Sequence, residues 1–126
     1  MLLTPHVAYA DGNAVQCVGA KPVFVDIDEE TLTIDPEDIK RKISPRTKAI
    51  VPVHMGGNCC DMDGIMATAR EHGLAVIEDN AQACGGTYKG TFLGAIGTMG
   101  CFSLSSYKIT GAGEAGLVIT DDEWLY

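Results

Sequence analysis

The sequence is short of positive charge. Nine lysines and arginines stand against seventeen aspartates and glutamates, a formal net charge of −8. Nucleic acid and anionic membrane both need a basic patch, so neither is expected as a partner. A local phosphate site made of backbone N–H groups and hydroxyls survives that exclusion. Long apolar runs are also missing, and none approaches the roughly 20 residues of a membrane span. The opening MLLTPHVAYA lacks the length and basic start of a signal peptide. The cysteines, Cys17, Cys59, Cys60, Cys84 and Cys101, are odd in number and sit mostly in or beside apolar runs. Reduced thiols in a cytoplasmic protein are therefore expected. Repeats, low-complexity tracts and linkers are absent. What remains is 126 residues, 46% of them apolar, enough for one modest globular domain.

Within that domain, apolar runs alternate with helical patterns. Residues 23–27 (VFVDI) read as a buried strand. Asp35, Pro36, Glu37 and Asp38 then open a helix: Asp35 caps it, Pro36 suits the first position, and the acids suit the positive end of the dipole. Ile34 and Ile39 flank the cap as a hydrophobic staple. Residues 49–53 (AIVPV) are the next strand, with Pro52 unable to donate to a ladder. Asp61 caps a second helix, with Met62, Ile65, Met66 and Ala69 as its apolar stripe and Gly73 as its stop. Residues 74–77 form another strand, carrying Glu78 and Asp79 at its C-terminal end. Ala14, Val15 and Val18, closed by Gly19, suggest a short early helix. Such alternation predicts an α/β layer with a largely parallel sheet, whose ligands gather beyond the carboxyl ends of the strands. The ends read as cut short: MLLTP as the tail of a strand, and DDEWLY as the start of a new helix. A piece of a larger domain is expected.

The chemistry concentrates around Lys108, in CFSLSSYKITGAGEAGLVITDD (residues 101–122). An apolar strand runs into small hydroxyl residues, then one lysine, a glycine-rich bend and a second apolar run. A lysine held in such a packed, partly dry place can attack an aldehyde, although a lone lysine is ordinarily a solvated loop residue. Asp79 could keep a pyridine nitrogen protonated, or merely cap the next turn. Ser103, Ser105 and Ser106 could hold a phosphate, or simply form turns. IEDNAQA (residues 77–83) places Gln82 close behind Asp79. Together these residues suggest a pyridoxal 5′-phosphate (PLP) site. GAGEAG (residues 111–116) matches G-x-G-x-x-G in letters, but a strand-like run follows it where a dinucleotide site needs a helix. His54, Cys59, Cys60, Asp61 and Asp63 lack metal-ligand spacing, and no metal is expected.

The chain resembles the DegT/DnrJ/EryC1/StrS aminotransferases, which act mainly on nucleotide-linked keto-sugars and keto-cyclitols. The resemblance rests on GAKPVFVDID (residues 19–28), TKAIVPVHMGG (47–57), DMDGI (61–65), AVIEDNAQACGGTYKG (75–90) and the lysine segment. It implies a fold-type I PLP-dependent transferase large domain, α/β with a mostly parallel sheet. Residues 1–126 would be a single partial PLP-binding domain. The N-terminal phosphate loop and the C-terminal small domain would lie outside it. Lys108 would form the Schiff base, Asp79 would pair with the ring nitrogen, and Gln82 would bond near the phenolic oxygen. Ser103 would contact the phosphate. Tyr9, four residues after Pro5, would lay its ring over the cofactor. The family further implies a homodimer, a keto-sugar nucleotide substrate and an amino-acid donor, with glutamate expected. Ala115 departs from the family's G-E-G-G run, and its Cβ is expected to penalise a positive φ. Two rivals are an inactive fragment or scaffold protein of the same ancestry, and a sugar dehydratase. The dehydratases carry histidine in place of the lysine, so Lys108 speaks against that reading.

Overall fold

The computed structural model describes residues 1–4 and 9–125. Two helices are fixed at their ends by side chains close in sequence. The helix over Pro36–Lys42 begins where the Asp35 carboxylate accepts the Glu37 N–H at 2.8 Å. Ile34 and Ile39, on either side of that cap, are both fully buried, as a staple requires. The helix over Met62–His72 begins where Asp61 accepts the Gly64 N–H. It stops at Gly73, whose φ of 63° is left-handed. These are α2 and α3. An earlier helix, α1, runs over Tyr9–Cys17 and is followed by Gly19 with φ 73°. Val18, expected within this helix, lies just beyond its end and is exposed.

Six strands form one sheet: β1 (Leu2–Leu3), β2 (Val23–Phe24), β3 (Ala49–Val51), β4 (Ala75–Asp79), β7 (Met99–Ser103) and β8 (Gly116–Ile119). Their order is β2-β1-β3-β4-β7-β8. All pairings are parallel except β7 with β8. A separate hairpin joins β5 (Thr87–Tyr88) to β6 (Thr91–Phe92). The expected mostly parallel α/β architecture is thus present. Side chains alternate across the sheet. Leu2, Ile50 and Val76 pack into the cluster containing Ile39 of α2 and Met62 and Ile65 of α3. Leu3 and Val51 face Val15 of α1 on the other side, with Ile77 beside them. Both faces are covered, which is why β1, β3 and the first three residues of β4 are apolar.

Three expectations change. The run at 23–27 is not a uniformly buried strand. Val23 and Phe24 lie in β2 at the sheet edge and are exposed, while Val25 beyond them is fully buried. An edge strand has a neighbour on one side only, so its apolar side chains need not be enclosed. Residues 122–125 form a turn, closed by Leu125 N–H to Asp122 O at 3.0 Å, rather than a helix; Tyr126 lies outside the described residues. Ala115 is not among the residues with positive φ, so its Cβ carries no left-handed penalty. Its carbonyl instead accepts the Leu104 N–H at 2.9 Å. Pro52 follows β3 without harm, because its carbonyl accepts the Asp79 N–H at 2.9 Å and no donor is required.

Candidate active site

The carboxyl ends of β3, β4 and β7 open onto one cavity of about 280 Å3. Asp79, Gln82, Ser103, Ser105 and Lys108 all line it. Each reaches it for a local reason. Asp79 is the last residue of β4, and its main chain is held on the β3 side by Pro52 O and His54 N. Its Oδ1 accepts the Ala81 N–H at 2.8 Å, which leaves the other oxygen for a partner in the cavity. Gln82 sits in the following turn, and its Oε1 accepts the Gly56 N–H at 2.8 Å. A backbone N–H demands an acceptor, so the Gln82 amide presents its NH2 donors elsewhere.

Ser103 ends β7, and the chain then makes an excursion before returning as β8. Its neck is tied by Leu104 N–H to Ala115 O and by Ala112 N–H to Leu104 O. Lys108 sits on a turn within it, closed by its own N–H to Ser105 O at 2.8 Å. Among the described residues no hydrogen bond or ion pair engages Lys108 Nζ. Gly113 takes φ 100° beside its bridge to Ser105, so a glycine is needed at that bend.

Beneath the cavity floor lies a buried polar core. Glu78, adjacent to Asp79, is wholly enclosed and accepts four hydrogen bonds. His54 Nε2 (3.2 Å) and Gly94 N (2.8 Å) reach Oε2, while Ile96 N (2.8 Å) and Gly97 N (2.6 Å) reach Oε1. Burial pushes this carboxyl up, but the His54 and amide donors outweigh it and hold it below 4.5. His54 Nδ1 accepts the Cys60 N–H at 3.1 Å, so Nε2 carries the hydrogen given to Glu78. Both ring nitrogens of His54 are thereby used.

Lys108, Asp79, Gln82 and Ser103 line this one cavity. Ser105 joins them, whereas Ser106 is exposed and does not line the cavity. Tyr9 is not brought in: its side chain is 93% exposed at the start of α1. Pro5, which located Tyr9 in the sequence reading, lies outside the described residues. Asp11 of α1 does line the cavity and was not anticipated. Burial, followed by the Asp79 charge and a hydrogen bond to Asp79, pushes its carboxyl up to about 6. No local pattern around Asp11 marks it out, since its neighbours in sequence are Ala10 and Gly12. A second, apolar space of about 450 Å3 shares Asp11, Asp79 and Ser103 with this cavity and is lined further by Val15, Val51, Ile77 and Phe102.

Comparison with known proteins places this geometry. The profile of the DegT/DnrJ/EryC1/StrS aminotransferase family matches residues 1–126. The chain is 47% identical over 125 residues to the spore coat polysaccharide biosynthesis protein SpsC of Bacillus subtilis, covering 99% of this chain and 32% of that protein. It is 45% identical to the GDP-perosamine synthase of Caulobacter vibrioides, covering 98% of this chain and 34% of the synthase. The solved aminotransferase of Psychrobacter cryohalolentis superposes with a TM-score of 0.95 at 50% identity, over 98% of this chain and 32% of that one. The chain therefore spans about a third of the length of the relatives it matches. It belongs to the DegT/DnrJ/EryC1/StrS aminotransferase family.

Proposed function

We propose that residues 1–126 are the cofactor-holding part of a PLP-dependent aminotransferase. Its acceptor would be a nucleotide-linked keto-sugar and its donor an amino acid, with glutamate expected. The observation that carries this is the convergence of Lys108, Asp79, Gln82 and Ser103 on one cavity. Family membership supports it, as does the GDP-linked sugar in the name of one relative. The same membership supports a homodimeric cytoplasmic enzyme.

The residues present fit the cofactor. An amine that nothing among the described residues engages, a carboxylate with one oxygen turned from the backbone, an amide and two hydroxyls match an aldehyde, a ring nitrogen, a phenolic oxygen and a phosphate. Bound there, PLP would supply an electron sink beside the substrate carbon. Asp79 would keep the ring nitrogen protonated. Gln82, fixed by Gly56, would offer its NH2 to the phenolic oxygen. Ser103 and Ser105 would offer their hydroxyls to the phosphate. Lys108 would be the amine that holds the aldehyde and the base that takes the donor's α-proton.

Borohydride trapping tests this reading. The protein is incubated with PLP, reduced, digested and weighed by mass spectrometry. The Lys108 peptide should carry the reduced cofactor, and Lys108→Ala should carry none. Trapping spread over Lys21, Lys48 and Lys89, with Lys108 unmodified, would refute it.

A further inference from the structure

Asp11 has no role in the reading above, yet it lies in the middle of the site. It projects from α1 into the cavity lined by Lys108 and Gln82, opposite the end of β4. Asp79 has committed one oxygen to Ala81, and Asp11 lines both of the spaces that Asp79 lines. Two carboxyl groups facing one partly buried cavity cannot both be ionised cheaply, and burial together with Asp79 pushes the Asp11 carboxyl up. The surrounding groups do not relieve them. From β7, the Cys101 thiol is itself pushed up, first by burial and then by the charges of Asp79 and Asp11. From β1, the Met1 amino group donates to Lys21 O. From the turn after β7, Lys108 lines the cavity but makes no ion pair with either acid.

We propose that Asp11 is a second acid of the ring-nitrogen pocket. It shares a proton with Asp79 in the empty site and surrenders it when a heteroaromatic cation enters against the pair. This rests on the cofactor reading of the same cavity. In that step the Asp11 O–H bond breaks and its proton leaves to solvent. The ring N–H of the incoming cation replaces it as the positive partner, so two carboxylates flank one cation. Asp11 thus strengthens binding of a protonated ring only after it ionises. Because burial and Asp79 hold its carboxyl near 6 in the empty site, the benefit grows as pH rises through that value.

Two measurements decide it. The first needs no ligand: carbon-13 NMR of the aspartate carboxyls in the cofactor-free protein. Asp11 should titrate near pH 6, and Asp79→Asn should move that titration down. An ordinary carboxylate titration for Asp11, or one unmoved by Asp79→Asn, overturns the shared proton. The second uses 4-deoxypyridoxine 5′-phosphate, which has the ring and phosphate but no aldehyde for Lys108. Its affinity is compared between wild type and Asp11→Asn, so that ring and phosphate titrations cancel. Asparagine mimics the protonated acid, so the two proteins should bind alike at pH 5. Wild type should be tighter by about tenfold at pH 7, as for one charge-assisted hydrogen bond. A ratio that stays flat with pH, or favours Asp11→Asn at pH 7, overturns the role toward the ring. If neither protein binds the probe and borohydride traps nothing on Lys108, the cofactor reading fails, and the ring's part with it. The NMR titration still decides the carboxyl pair.

Discussion

Replacing Glu78 by glutamine is nearly isosteric, and it should be among the most damaging substitutions in the chain. The carboxylate receives four donors, two on each oxygen. An amide has one oxygen and one NH2. If its oxygen stays with the Ile96 and Gly97 amides, the NH2 confronts His54 Nε2–H and the Gly94 N–H. If the amide flips, the NH2 confronts Ile96 and Gly97. Either way two buried donors lose their acceptor. A tautomer change in His54 cannot help, because it would point Nδ1–H at the Cys60 N–H. Each orphaned buried donor costs about 1–3 kcal/mol, so the loss should be about 2–6 kcal/mol. That is a large share of a domain stability of about 5–15 kcal/mol. Urea denaturation followed by far-UV circular dichroism reads it directly. A pH series adds a sign. The folded Glu78 carboxyl lies below its ordinary 4.5, so its stabilisation is present above that value and is lost as pH falls through the folded value. The gap between wild type and Glu78→Gln should therefore narrow in acid. A loss under about 1 kcal/mol at pH 7 would show that the four donors find other acceptors.

Two further substitutions probe the frame and the site separately. Asp38 is buried on α2 and is held down to about 2, first by the Asp26 N–H and then by Lys42 and Arg41. Asp38→Asn should lose up to about 2 kcal/mol at pH 7, measured by urea titration, with the deficit shrinking as pH falls from about 4 toward 2. A deficit independent of pH would contradict the assignment. Lys108→Met should leave the unfolding free energy of the cofactor-free protein within about 0.5 kcal/mol of wild type, because nothing among the described residues engages Nζ. A larger loss in thermal or urea unfolding would mean that the lysine is a structural residue.

The helix starts were legible because capping is local. Asp35 and Asp61 satisfy amides two and three residues away, and the sequence within that window suffices to place them. The strand–helix alternation was legible for the same reason, since apolar runs and caps report on their own segment. Tyr9 shows where this stops. A spacing from Pro5 located it in the chain, but the direction of its ring depends on how α1 sits on the sheet, and that leaves it exposed.

The amino-acid sequence by itself determined the layered α/β class, the capped helices and the types of chemistry near Lys108 and Asp79. These follow from short-range satisfaction of backbone groups and from the burial of apolar runs. Only the tertiary structure decided which of those groups meet. The Glu78–His54 bond spans 24 residues. Asp11 and Asp79 lie farther apart still, on α1 and β4. Both contacts depend on parallel crossovers that return distant segments to one end of the sheet, where no local pattern records the meeting. The same crossovers put Val23 and Phe24 at an open edge and Asp11 over the site. An apolar or acidic letter cannot reveal its side of the sheet until its neighbours are in place.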